Sequence, residues 1–160
     1  MIQSILLISM LLVAPQETAQ QDETIQLSGV KCIVTGKPVS SRYQVAYKQG
    51  KLFFDCNSSR LKFESSKGDF RTKANHQLAV TGQYLQNKCP ISKARLSSKS
   101  QFTHSVAGFK VRFCCEQCMS TFAEQQDADV RIKAMFGQQS FSSLFLPRPK
   151  ISKQPVGQQR

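Results

Sequence analysis

The spacing of hydrophobic and polar positions changes several times along the chain, and each change marks an element. Residues 5–14 form an unbroken apolar and small run that ends abruptly at the polar stretch 15–23. From Tyr43 the pattern alternates, with Tyr43, Val45 and Tyr47 set against Gln44, Ala46 and Lys48, then turns at Gln49-Gly50 into Leu52-Phe53-Phe54. Alternation with aromatic and β-branched content predicts a β-hairpin, and residues 102–106, Ala107-Gly108 and 109–113 predict a second. After each hairpin the spacing becomes helical, through Leu61, Phe63 and later Phe70 in one case and Met119, Phe122 and Ala123 in the other. Asn57-Ser58-Ser59 are cap residues for the first of these helices, whereas the second starts at a group of cysteines. Further helices are expected over 71–84 and 129–136. Phe53, Phe54, Phe63, Phe113 and Phe122 fall where a miniature core beneath the hairpins needs them. The fold class that follows is α+β, with two small tandem β-hairpin-helix units.

Laid against itself, the chain repeats. Cys32-Ile33-Val34-Thr35-Gly36-Lys37-Pro38 opens one unit and Cys89-Pro90-Ile91-Ser92-Lys93-Ala94 the other. Aligning Phe54 with Phe113 places Cys56 on Cys115 and Phe63 on Phe122 without a gap, and the loops behind the opening cysteines differ by two residues. The organisation expected is a signal peptide over 1–20, a first unit with its linking helix over 30–84, a second unit over 87–137 and a basic, mostly disordered tail over 138–160. Phe141, Leu144 and Phe145 are the tail's apolar positions, suited to dock on the second unit.

The run at 5–14 is too short for a bilayer, which takes roughly 20 apolar residues to cross about 30 Å, so it reads as an export signal that directs the protein to the periplasm or outside the cell. Its first four residues carry no Lys or Arg, and Glu17 stands close to the expected cleavage at Ala19. Six cysteines in 160 residues change the picture further, because units of roughly 50 to 60 residues bury little apolar surface and usually need a metal or disulfide staple. The net charge of +12 suits an acidic protein partner. It is spread singly from Lys31 to Lys153, without the basic-aromatic ladder that carries base stacking, so no nucleic-acid partner is expected.

The chemistry lies in the second unit. Helix positions three or four apart share a face, so either Cys114 or Cys115 can join Cys118 and the distant Cys89; the convergence expected is of Cys89, Cys115 and Cys118, with Cys114 as a further sulfur, in a three- or four-sulfur site for zinc or a soft ion such as Cu(I). A helix N-terminus favours the thiolate. In the first unit Ser59 stands in the place of Cys118 and Asp55 in that of Cys114, which leaves Cys32 and Cys56 as a disulfide or as two buried thiols. His104 lies on the second hairpin and His76 among polar neighbours on the linking helix, where a surface position is expected. No paired acid and base marks a catalytic site, so an enzyme is not expected.

The Phe113-Cys114-Cys115-Glu116-Gln117-Cys118 signature, preceded by Cys89-Pro90-Ile91-Ser92 and a hairpin, resembles the YHS and TRASH group of treble-clef-like metal-binding fingers. The tandem layout over 30–137 is also similar to exported planctomycete proteins of unassigned role. The resemblance implies heavy-metal sensing, trafficking or transport through the second unit's cysteines. The first unit lacks the third cysteine of that pattern. A different class of function stays open, a structural or interaction protein in which the same thiols pair as disulfides, Cys32 with Cys56 and Cys89 with Cys115 or Cys118.

Overall fold

Alternation in the first hairpin does what its pattern predicts: Tyr43, Val45 and Tyr47 turn inward along β1 (Ser40–Tyr47), which pairs antiparallel with β2 (Gly50–Phe54). The computed structural model describes residues 25–149, so the expected signal peptide and the tail beyond 149 lie outside the described residues. Tyr47 pairs with Gly50, which makes Lys48 and Gln49 the turn residues, one position earlier than expected. Gly50 is needed inside the strand: a Cβ there would stand 2.7 Å from Gln83 Oε1 and 2.8 Å from Leu78 Cδ2. Helix α1 (Asn57–Ser65) follows, and its buried Phe63 packs 5.5 Å from the Phe54 ring and 5.7 Å from Tyr47.

Helix α2 (Arg71–Val80) is shorter than the 71–84 expected. Thr81 Oγ1 donates back to Gln77 O at 2.7 Å and Gly82 takes φ 68°, a left-handed conformation that ends helices. Tyr84 therefore begins a strand, β3 (Tyr84–Gln86). The second hairpin is β4 (Thr103–Val106) with β5 (Phe109–Arg112), joined at Ala107-Gly108 as the sequence indicates. Helix α3 (Glu116–Ala123) buries Phe122 5.3 Å from Phe113, the counterpart of the Phe54–Phe63 pair. Helix α4 (Ala128–Phe136) starts at Asp127, whose side chain accepts from the Asp129 and Val130 N–H groups.

The start of the expected tail docks through its apolar positions. Residues 138–147 are ordered as α5 (Gln138–Leu144) and β6 (Phe145–Pro147), and β6 pairs antiparallel with β3 through Leu85↔Leu146. Phe141, Leu144 and Phe145 are buried, with Phe141 stacked on Phe145 at 4.8 Å and 5.1 Å from Tyr84. Their docking surface thus includes Tyr84, ahead of the second cysteine-bearing segment. The physical reason is burial: three large apolar side chains within five residues gain more from the core than ordering the short segment costs.

The molecule is α+β, with three two-stranded antiparallel sheets among the described residues. Buried residues from both hairpins, α2 and the 135–145 segment form one cluster, bridged by Phe136, which contacts Phe109 at 5.7 Å and Phe145 at 5.9 Å. Among the described residues no helix is long and apolar enough to cross a membrane. Phe141→Ala is expected to lower unfolding free energy by about 3–5 kcal/mol, measured by urea denaturation of the full chain; a loss below about 0.5 kcal/mol would place the 138–147 segment outside the cooperative fold.

Candidate metal centre

Cys89 sits on a tight turn. Its N–H donates to Ala94 O at 2.9 Å, the Lys93 N–H returns to Cys89 O at 3.1 Å, and Lys88 bridges Arg95. Around Cys32 the same bonds recur, with Cys32 N–H to Lys37 O at 2.7 Å, Gly36 N–H to Cys32 O at 2.8 Å and a bridge from Lys31 to Pro38. Gly36 takes φ 74° and Lys93 φ 60° at the equivalent position. Lysine adopts that conformation at a cost of roughly 1–2 kcal/mol that glycine avoids.

The other cysteines come from the junction of β5 and α3. Cys115 is the N-cap of α3, in extended backbone with φ −154° and ψ 167°, matching Cys56 ahead of α1 at φ −151° and ψ 169°. The first helix is therefore capped from Cys56, and Asn57-Ser58-Ser59 lie inside its first turn; Ser59 Oγ stands 3.3 Å from Cys56 Sγ. Successive residues of extended chain point to opposite sides. Cys114 accordingly turns inward to meet Cys118, with Sγ atoms 3.6 Å apart, while Cys115 stays exposed with its Sγ 3.9 Å from that of Cys114.

The sulfurs of Cys89, Cys114 and Cys118 all lie within 4.8 Å of one another; Cys115 is outside that set. The sequence pointed to Cys89, Cys115 and Cys118 as the converging trio with Cys114 as a further sulfur; in the structure Cys114 takes the place of Cys115 in the trio, and Cys115 forms its rim. Thiolates bound to one tetrahedral ion at about 2.3 Å stand about 3.8 Å from each other, so the 3.6 Å spacing of Cys114 and Cys118 fits such a donor set.

Electrostatics within the cluster are uneven. Burial pushes the Cys89 thiol up, but the Ser92 hydroxyl and the N–H groups of Cys114, Ser92 and Ile91 outweigh it and bring the group down to about 6. Cys115 is lowered, chiefly by the Cys118 N–H and then by the Cys118 thiol. Cys118 is pushed up to about 12, first by its hydrogen bond with the Cys115 thiol, then by burial, with the Cys114 and Cys89 thiols beside it adding to the effect. Ser92, whose Oγ lies 3.2 Å from Cys114 Sγ, belongs to the site although the sequence reading assigned it no role. Its signal was the match to Thr35 in the repeated opening motif.

The first segment fills the corresponding place differently. The Cys32 thiol, the Ser59 hydroxyl and, opposed by burial, the Thr35 hydroxyl hold Asp55 well below the usual carboxylate range. Asp55 Oδ1 is enclosed without a partner at full hydrogen-bond geometry, so these donors crowd the carboxyl without saturating it. Cys32 and Cys56 carry free thiols and do not join any metal-ligating trio among the described residues.

Neither histidine belongs to the cluster. His104 rests edge-on against Phe122 at 6.1 Å. His76, expected at the surface, is half-buried: its ring meets Phe136 at 4.8 Å and Nε2 is 3.0 Å from Ala107 O. Burial lowers its pKa, partly offset by that hydrogen bond. A groove of about 940 Å³ between loop 28–36 and α2 has His76 in its wall but none of Cys89, Cys114, Cys115 or Cys118. No family model, no curated protein and no solved structure matches the chain.

The shifts give the reduced, metal-free protein a pH signature. Cys89 falls below the ~8.5 of an unfolded thiol, so its thiolate contributes stability that is complete above ~8.5 and lost as pH falls through about 6. Cys118 lies above the unfolded value, so its thiol form contributes stability below ~8.5 that is lost as pH rises through about 12. Thiolate absorbance near 240 nm is expected to rise in a step near pH 6 that Cys89→Ser removes. A titration that begins only near pH 8.5 in the wild-type chain would contradict this charge distribution.

Proposed function

We propose that this chain is a metal-binding module that holds zinc or copper through Cys89, Cys114 and Cys118, with Cys115 as an adjacent fourth sulfur. The observation that carries the reading is the mutual approach of the three sulfurs to within 4.8 Å from positions far apart in sequence. An all-sulfur donor set suits borderline and soft ions, zinc and Cu(I), and not oxygen-seeking magnesium or calcium. In such a small unit the binding free energy also serves folding.

The finer parts of the reading rest on sequence. An YHS- or TRASH-like finger is favoured by the cysteine signature, and its duplication by the matching turns at Cys32 and Cys89 and the matching N-caps at Cys56 and Cys115. Export is favoured by the apolar run at 5–14, and an acidic protein partner by the net charge of +12. We read the role as binding and not catalysis, since His76 and His104 are engaged away from the sulfurs. The convergence of three sulfurs, where a disulfide needs two, favours the metal reading over a disulfide-stapled interaction protein.

Elemental analysis of the purified chain, handled under reduction, tests the proposal. One equivalent of zinc or copper is expected in the wild type, with none in the Cys114→Ser, Cys118→Ser double variant. Absence of metal from the wild-type chain after reconstitution, or protection of Cys89 and Cys118 as a disulfide in protein taken from its native compartment, would overturn it.

A further inference from the structure

The segments that deliver Cys89 and Cys114 belong to different elements, and one buried side chain joins them. Gln86, the last residue of β3, is 5% exposed. Its Oε1 accepts the Arg112 N–H at 2.8 Å, and its Nε2 donates to Arg112 O at 2.8 Å and to Lys88 O at 3.0 Å. Arg112 Nη2 returns to the Gln86 backbone carbonyl at 2.8 Å. Lys88 immediately precedes Cys89, and Arg112 stands two residues before Cys114. The primary amide acts as a short stretch of strand backbone, closing the ladder between two segments that do not pair directly.

Gln77 makes the equivalent connection in the first segment from a different element, α2. Its Oε1 accepts the Phe53 N–H at 2.8 Å, and its Nε2 donates to Phe53 O at 2.9 Å and Lys31 O at 3.1 Å. Lys31 precedes Cys32, and Phe53 stands two residues before Asp55. The two clamps thus grip the same pair of backbone positions, one beside a cluster of sulfurs and one beside a carboxylate.

We propose that Gln86 is a positioning residue of the metal centre: its amide fixes the backbone on which Cys89 approaches Cys114 and Cys118, and so sets how tightly the ion is held. The inference rests on the metal-binding reading above. Gln86 acts at one remove, through Lys88 and Arg112. Loss of supporting groups around metal ligands typically weakens binding on the order of 10–100-fold. Alanine removes all three bonds. Glutamate keeps the acceptor for the Arg112 N–H but sets a carboxylate oxygen against two carbonyls, so it is not a neutral replacement.

The test compares Gln86→Ala and Gln86→Glu with Gln77→Ala, which removes the same chemistry from the first segment. Zn²⁺ affinity is read by chelator competition, and the geometry of the site by the absorption of the Co²⁺-substituted protein. Gln86→Ala is expected to bind one equivalent about 10-fold or more weakly with a shifted Co²⁺ spectrum. Gln77→Ala is expected to lose comparable denaturant stability while its spectrum stays unchanged and its affinity falls less than the Gln86→Ala affinity. Should Gln86→Ala fail to fold, Gln86→Glu carries the comparison with the same expected direction. Wild-type affinity and spectrum in the folded Gln86 variant, or equal losses in the Gln77 and Gln86 variants, overturn the positioning role alone. A wild-type chain that binds no metal overturns the metal reading, and this inference with it.

Discussion

Neither hairpin has enough structure of its own to make a core, and that constraint shapes the rest of the molecule. An isolated two-stranded hairpin is marginal in water, a unit this small buries little apolar surface, and here each hairpin has only a short helix, α1 or α3, bearing one central phenylalanine, Phe63 or Phe122. The shortfall is met in the middle of the chain's fold, where Phe109, Phe136 and Phe145 contact one another, Phe141 stacks on Phe145 and Tyr84 packs on Phe141, burying residues of α2, α4 and α5. The aromatic cluster also fixes β3 against β6, and β3 ends at the glutamine that holds the second cysteine turn in place. Leu144 O adds support there by accepting the Asn87 and Lys88 N–H groups at 2.8 Å and 3.3 Å. The sulfur cluster is thus a dependent of packing that lies elsewhere.

Much of this was legible in the sequence, and the parts that were not share a cause. The hairpins, the aromatic pairs Phe54–Phe63 and Phe113–Phe122, and the convergence of Cys89 with Cys118 follow from local period and from aligning the chain with itself. The turn at Ala107-Gly108 is signalled by its glycine. What escaped was long-range pairing. Nothing in the local spacing of 138–147 says that Phe145 will meet Gln86 across a sheet, or that Phe141 will lie against Tyr84. Gln77 and Gln86 read as ordinary polar residues, since an amide that completes a ladder has the same sequence signature as one in water.

Cys114 replaces the expected Cys115 in the trio for a more specific reason. Both stand at helical distance from Cys118, and the sequence reading treated the junction as helix. The chain at Cys115 is extended, and the first helical residue is Glu116. Strand rules therefore govern which neighbour points inward, and they select Cys114. The same geometry operates at Asp55 and Cys56, so the substitution of aspartate for cysteine in the first segment falls on the inward position, the one where its charge has consequences.

Those consequences are opposite in the two places. Around Asp55 a single anion is faced by the thiol of Cys32 and the hydroxyls of Ser59 and Thr35, all able to donate. Hydrogen-bond donors crowd the carboxylate without saturating it, and a cation would have to displace them. Around Cys118 the neighbours are sulfurs: the Cys89 and Cys115 thiols are shifted toward the thiolate, and the Cys118 thiol is held protonated beside them. Converging sulfurs of which two are inclined to ionise suit a cation at their centre, whose binding would release the Cys118 proton. Two segments with the same turn and the same helix N-cap geometry therefore present different donor sets through two side chains, Asp55 for Cys114 and Ser59 for Cys118, while the backbone turns alike around them.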